Sequence, residues 1–209
     1  MVIKRKIKKL LYLMSPFKYR AFTDFPFNIL QPMPAACRLE RLYEVESFIT
    51  SLPTPARISD GTLLGIVREQ KVIEHDNDFD FDILYDAEAI NRIYSYASEK
   101  NWKLGSIVTY SRKIQQLCFY DKDFFIYDFI IWHPGLRFYL NYHEPKHFRI
   151  MERKYLGDFN SITLNNGMKF RVPNDVKTYL VYRYGTRWNV PQTEKGNWQD
   201  DCGDLERIM

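Results

Sequence analysis

Cysteine is scarce and no apolar run is long. The three cysteines, Cys37, Cys118 and Cys202, lie far apart and lack metal-ligand spacing, which excludes a dense disulfide framework and gives no sign of a zinc cluster. The four histidines, His75, His133, His143 and His147, show no zincin-like spacing. No internal repeat or low-complexity tract is present. The apolar residues near the start fall well short of the roughly 20 needed to span a bilayer, and no secretory cleavage pattern follows them. Net charge is only +4 with a pI near 8.8, a weak argument for nucleic acid, and no nucleic-acid partner is expected. A reducing cytoplasm is the simplest compartment.

What is present is core-forming material. With 209 residues, 45% hydrophobic and 16% aromatic, the chain is long enough for one globular domain with an appended element. Lys4, Arg5, Lys6, Lys8, Lys9, Lys18 and Arg20 precede the first acid, Asp24, and are interleaved with Ile3, Ile7, Leu10, Leu11, Leu13 and Met14. This basic amphipathic segment suits docking on an anionic membrane surface or a partner. It equally suits a solvated terminal helix packed on its own domain.

The Pro-rich stretch "FTDFPFNILQPMP" favours an extended connector. Apolar residues at helical spacing (Leu39, Leu42, Val45, Phe48, Ile49, Leu52) predict a helix over 36–52, ended by "PTP". "ARIS" reads as a short strand and "TLLGIVR" as a brief helix with Asp60 or Thr62 available as its cap. Then come a strand "FDFDILY", a helix "AEAINRIYSYASEK", and three strand-like runs, "GSIVTYS", "IQQLCFY" and "FFIYDFIIW". "SITL" and "MKFRV" flank Asn165, Asn166 and Gly167, a hairpin signal. A helix over 175–184 ends at Gly185, and an aromatic tail with Trp188 and Trp198 follows, to stack on a base or wrap the core. Successive strands with helices at both ends predict an α+β fold with a mixed, largely antiparallel sheet flanked by helices.

Chemistry concentrates in "HDNDFDFD", where Asp76, Asp78, Asp80 and Asp82 occupy every second position. In a strand they share one face, opposite Phe79, Phe81 and Ile83. Neighbouring acids are roughly 6.6 Å apart along the backbone, close enough for two or three side chains to converge on one cation. Oxygen-rich sites of this kind suit Mg²⁺ or Mn²⁺. The alternative is a surface strand whose charge blocks edge association. Upstream, Gly61 and Thr62 lie at a strand-to-helix turn that could hold a phosphate. Arg68 could neutralise phosphate charge, or pair with one of the aspartates. Asp128 interrupts the apolar run "FFIYDFIIW". A buried carboxylate is costly unless it is paired, hydrogen-bonded or metal-bound, so Asp128 is either a structural acid or the third member of a catalytic set. His75 reads as a polar loop residue at the border of the acids.

The stretch "GTLLGIVREQKVIEHDNDFDFDI" resembles the signature of the LicD and fukutin family. "YDFIIW" looks like its later acid-bearing strand, and "VPNDVKTYLVYRYGTRWNVP" is similar to its closing helix. The likeness runs with gaps from Ala56 to Pro191. It implies a nucleotidyltransferase-like catalytic domain over 35–209, preceded by a basic segment and connector over 1–34. It also implies metal-dependent transfer of a phospho-alcohol (ribitol phosphate, glycerol phosphate or phosphocholine) from a CDP-linked donor to a glycan or glycolipid hydroxyl. Position by position, Gly61, Thr62 and Arg68 fall on the donor-binding turn and helix. Asp78 and Asp80 fall on the metal pair, Asp76 on the acid just upstream, and Asp128 on the later strand acid. Asp82 is left as a solvated remainder. Glu74 and His75 stand where the family commonly has Pro-Trp, Glu69 where it has His, and Asn77 where Asp is frequent. The implied Mg²⁺ or Mn²⁺ would sit on Asp76, Asp78 and Asp80, the enzyme being cytoplasmic and peripheral at the membrane. A nucleotidyl-transferring enzyme of the same fold, or a non-enzymatic binding relative, would share the acids. A glycosyltransferase of the GT-A kind would need a longer nucleotide-binding region ahead of them.

Overall fold

The computed structural model describes residues 16–22, 35–142, 147–191 and 205–207. The expected basic amphipathic segment falls mostly outside these residues, as do Trp198 and His143. Phe17–Ala21 forms strand β1, paired antiparallel with β4 (Lys103–Tyr110). Lys18 and Arg20, which the charge pattern groups with the basic segment, thus sit on an edge strand of the sheet.

Helix α1 (Ala35–Thr50) leads through a proline-containing turn to β2 (Ala56–Ile58) and then α2 (Asp60–Glu69). Strand β3 (Asp78–Leu84) pairs antiparallel with β2 and parallel with β6 (Ile126–Pro134). Between β3 and β6 the chain forms α3 (Ala87–Glu99) and the antiparallel pair β4 and β5 (Lys113–Tyr120), with β5 returning antiparallel onto β6. Strands β7 (Phe138–Asn141), β8 (His147–Glu152) and β11 (Leu205–Arg207) continue the sheet. The hairpin of β9 (Phe159–Thr163) and β10 (Lys169–Pro173) stands apart as its own two-stranded sheet. Helix α4 (Val176–Tyr184) follows, capped by Asp175, whose side chain accepts from the Thr178 N–H at 3.2 Å, and ended at Gly185 with φ 77°.

Among the described residues β3 with β6 is the parallel pair of an otherwise antiparallel sheet, so the mixed, largely antiparallel α+β expectation holds. Composition explains its central place. Phe79, Phe81, Phe129, Ile131 and Trp132 are all fully buried, on the two strands that carry the acids, as expected of strands covered on both faces. The β7–β8 pair has no clear signal in the sequence, because its residues show neither clean alternation nor a turn dipeptide. No helix among the described residues is long and apolar enough to cross a membrane.

One buried acid sits away from the main acidic strand. Glu46 of α1 is almost fully buried, with Oε1 accepting the Arg171 backbone N–H at 2.6 Å and Oε2 without a partner. Burial pushes its pKa up to about 7, against the opposing pull of Arg171.

Candidate active site

The site forms where the start of α2 meets the starts of β3 and β6. The parallel register sets Asp80 opposite Asp128 and Asp78 opposite Ile126. Asp78, Asp80 and Asp128 each present one carboxylate oxygen within 4.8 Å of the others. The convergence expected of two or three acids is therefore met by this trio. Asp76, in the loop before β3, borders it: a Cβ built on Gly61 would lie 2.8 Å from Asp76 Oδ2 and 3.8 Å from Asp80 Oδ2. A side chain at this position would have to displace the Asp76 carboxylate.

Several backbone ties hold the acids in place. The Ser59 N–H donates to the Asp80 carbonyl at 2.9 Å, and Thr62 Oγ1 accepts the Asp80 N–H at 2.9 Å. Thr62 is buried, so the hydroxyl expected to face phosphate is turned to β3, where it fixes Asp80. Arg38, buried on α1, donates through Nη1 to the carbonyls of Ile73, Glu74 and Asp76 at 3.3, 2.6 and 3.1 Å. One guanidinium thus clamps the loop that delivers Asp76 and Asp78. Arg68, at the end of α2, donates to Glu69 Oε1 through Nε and Nη2 at 2.9 and 2.5 Å. It is still near enough to favour the charged form of Asp76. His75 is exposed and likewise favours ionised Asp76.

Burial governs the titration of these acids, and crowding of like charge adds to it at Asp78 and Asp80. Burial first, then the charges of Asp128 and Asp76, push the Asp78 pKa up to about 7. Burial, followed by Asp78 and Asp60, holds Asp80 well above the usual carboxylate range. Asp128 is pushed up to about 6, chiefly by burial, against hydrogen bonding from Cys118 and Gln116 on β5. Asp76 is also raised, by burial. Carboxylates so placed are stabilised as anions only when a cation joins them. Asp128 Oδ1 is shut off from solvent without a hydrogen-bond partner, leaving it free to meet such a cation. An all-carboxylate donor set is the hard-oxygen chemistry of Mg²⁺ or Mn²⁺, so the residues present fit that group.

Two ion-pair assemblies lie beneath the trio and correct two expectations. Asp82 is not solvated. It is fully buried, with Oδ2 2.7 Å from Arg57 Nη2 and Oδ1 accepting from Trp132 Nε1 at 2.7 Å. Alternation places Asp82 on the same face as Asp78 and Asp80, but deeper, where the rest of the domain covers that face. Neither Asp60 nor Thr62 caps α2: the N-cap is Ser59, without a side-chain cap bond. Asp60 adopts a left-handed φ of 39° and receives Arg149 in a two-pronged contact (Nη1 and Nη2, each 2.9 Å) plus Arg183 Nε at 2.9 Å. These arginines hold its pKa below the usual range despite burial. A non-glycine residue at positive φ is uncommon, and such backbone clusters at sites where the surroundings over-determine it. Arg38, Asp60, Arg149 and Arg183 are not legible as site residues in the sequence, since their partners come from elements distant along the chain.

No curated protein matches the chain. The family profile described as LicD/FKTN/FKRP, nucleotidyltransferase domain, matches residues 55–175. That span runs from the residue before β2 to the N-cap of α4 and holds the trio, Asp76, Gly61, Thr62 and Arg68. Since the match takes in more than half of the chain, and the acids it spans are the ones the fold brings together, this protein belongs to the LicD/FKTN/FKRP family.

Proposed function

We propose that this protein is a metal-dependent transferase moving a phospho-alcohol (ribitol phosphate, glycerol phosphate or phosphocholine) from a CDP-linked donor to a glycan or glycolipid hydroxyl, in the cytoplasm at the membrane surface. Family membership supports a transferase of the phosphotransferase type. The observation that carries the finer reading is the convergence of Asp78, Asp80 and Asp128 within 4.8 Å, beside a glycine-opened turn.

Asp78 and Asp80 would hold the divalent ion, with Asp76 at its border. A bound Mg²⁺ or Mn²⁺ supplies charge neutralisation for a diphosphate and orients it for attack. The open backbone at Gly61 gives the diphosphate room to approach, and Thr62 fixes Asp80 through its backbone. Arg68 faces the phosphate charge from the end of α2, exchanging its bond to Glu69 for one to the donor. The reaction is an in-line displacement: the acceptor oxygen forms a bond to the phosphorus of the transferred phospho-alcohol as the bond to CMP breaks, and CMP leaves. Asp128, opposite Asp80 across the β3–β6 pair, would orient or deprotonate the incoming hydroxyl. For this chemistry positioning and charge stabilisation supply most of the rate.

The test is a panel of CDP-ribitol, CDP-glycerol and CDP-choline with Mg²⁺, scored for CMP release and for phospho-alcohol on the acceptor. We expect one donor to be consumed, and Asp80→Asn to abolish transfer with the fold retained. Near-wild-type activity for Asp80→Asn would overturn the assignment. Nucleotide rather than phospho-alcohol on the acceptor would indicate the nucleotidyl-transferring alternative. No donor response together with no Mg²⁺ response would indicate a binding relative.

A further inference from the structure

Helix α1 lies ahead of residues 55–175, the span the family profile matches, yet it holds both chain segments that lead into the acid-bearing strands. Before β3, residues 73–76 form a tight turn, closed by the Asp76 N–H donating to the Ile73 carbonyl at 3.1 Å. The outward carbonyls of such a turn have no strand or helix partner, and when they are covered they need one. Arg38 supplies it. A single nitrogen, Nη1, donates to the carbonyls of Ile73, Glu74 and Asp76, so its two hydrogens are shared among three oxygens. The side chain is buried at 2% exposure, and its Nε is shut off from solvent without a partner. Arg38 makes no ion pair among the described residues. It acts as one cationic point enclosed by three backbone oxygens.

Arg41, one helical turn further and on the same side of α1, grips the turn before β6. Its Nη1 meets Asp121 Oδ2 at 2.5 Å and its Nη2 meets Asp123 Oδ2 at 2.6 Å. Asp121 in turn accepts the Asp123 and Phe125 N–H groups through Oδ1, at 2.9 and 3.0 Å, and the Tyr127 hydroxyl through Oδ2 at 3.0 Å. The two gripped segments meet each other, since the Ile126 N–H donates to the Asn77 carbonyl at 3.1 Å. Strand pairing then fixes Asp78, Asp80 and Asp128, which all lie within β3 and β6. Asp76 lies outside both strands. Among the described residues its backbone is held by the turn itself and by Arg38.

We propose that Arg38 is a positioning residue for the acidic site: by holding the turn at residues 73–76 it sets Asp76 at the border of the cation that Asp78, Asp80 and Asp128 would share. Arg38 touches neither cation nor substrate and acts through the Asp76 backbone. The role rests on the metal-dependent reading of the site, not on the identity of the transferred group. Like charge explains why a hold is needed. Carboxylates without a cation push one another apart, and Asp76 is the member of the set that no strand pairing restrains. A displacement of about 1 Å at such a site can cost about a hundredfold in rate. The contact also predicts its own substitute, because lysine carries three donors on one charged nitrogen, whereas methionine offers none.

The test is calorimetric titration of the folded full chain with Mn²⁺, well below its melting temperature, which needs no turnover. Arg38→Met should lower Mn²⁺ affinity about tenfold, and Arg38→Lys should recover most of the loss. A buried arginine also supports the fold, so the deciding measurement is a cycle with Asp76→Asn. If Arg38 acts by placing Asp76, the two losses overlap, and Arg38→Met lowers affinity by less than about twofold once the Asp76 carboxylate is gone. If Arg38→Met does not fold, Arg38→Gln, which keeps two donors, takes its place in the cycle. Additive losses, or wild-type Mn²⁺ affinity in the folded Arg38 variant, would overturn the positioning role while leaving the metal site standing. A wild-type chain that binds no Mn²⁺ would overturn the metal reading, and the positioning role with it.

Discussion

Asp80 and Asp128 stand opposite each other across the parallel β3–β6 pair, one carboxylate on each of the two most deeply covered strands. No local sequence window contains both, and their approach is a product of topology. The Asp128 charge helps to push Asp80 toward its neutral form in the absence of a cation, so the pair is primed for one. Removing one carboxylate should therefore have opposite effects on metal binding and on bare-protein stability. Asp128→Asn should weaken Mg²⁺ or Mn²⁺ binding by tenfold or more, lower CMP release by about 10²-fold or more, and leave the metal-free melting temperature unchanged or higher. Calorimetric titration with Mn²⁺ and thermal melts check this. A lower metal-free melting temperature with unchanged metal affinity would make Asp128 a structural acid.

The same groups set the pH dependence of metal binding. Asp78 and Asp128 have native pKa values of about 7 and about 6, both raised above the unfolded value. The native cluster thus keeps protons that the unfolded chain has lost, and its contribution to metal-free stability is complete below the ordinary value of 3.8 and is lost as pH rises from there through about 6 and about 7. A cation competes with those protons. The rise in melting temperature caused by Mg²⁺ should be small at about pH 5.5 and large at about pH 8. An equal rise at both would show that the ion binds elsewhere.

Gly61 permits a close approach that alanine would block. The added methyl would stand 2.8 Å from Asp76 Oδ2, so the Asp76 carboxylate must move. Gly61→Ala should cost about 1 kcal/mol or less in stability, because a side chain can shift, yet lower activity by about 10- to 100-fold through misplacement of the site. Comparing kcat/KM with the urea midpoint separates these effects.

Asp82 and Arg57 form a fully buried pair. Breaking one side of such a pair leaves an uncompensated buried charge, a loss of about 3–5 kcal/mol. Asp82→Asn should therefore lower the denaturation midpoint sharply, whereas Asp78→Asn, earlier on the same face, should not. This contrast divides the acidic strand into a chemical half and a structural half.

How much of this is legible in advance follows from the range of each signal. Period-two alternation in "DFDFDI" and the helical spacing of α1 are local, and both elements form close to where the sequence places them. The isolation of Asp128 in an apolar run is legible for a related reason: a charge in a buried strand needs a partner. Asp82 departs from its expected solvation because alternation reports which face a side chain takes, not how deeply that face is covered. Asp60 resembles a helix cap by type and position. Its real partners, Arg149 and Arg183, lie 89 and 123 residues away, beyond any local pattern. Thr62 is placed beside the acids as expected, but the direction of its hydroxyl depends on the register of β3, which local sequence does not give.

Glu46 is buried well outside the candidate site and titrates on its own. Its Oε1 accepts the Arg171 backbone N–H, while its Oε2 is buried without a partner. Burial lifts its pKa from 4.5 to about 7. The sign follows: with the native pKa raised, stability associated with neutral Glu46 is complete below the unfolded value and is lost as pH rises from about 4.5 through about 7. Glu46→Gln keeps an acceptor for Arg171 and removes the titration. It should be close to wild type in stability at about pH 4.5 and more stable at about pH 8, by at most roughly 3 kcal/mol, since each tenfold change in a proton-binding constant is worth about 1.4 kcal/mol. Urea melts of both proteins across that range measure the difference. If the two curves stay parallel, Glu46 remains ionised in the fold and Oε2 has found a partner.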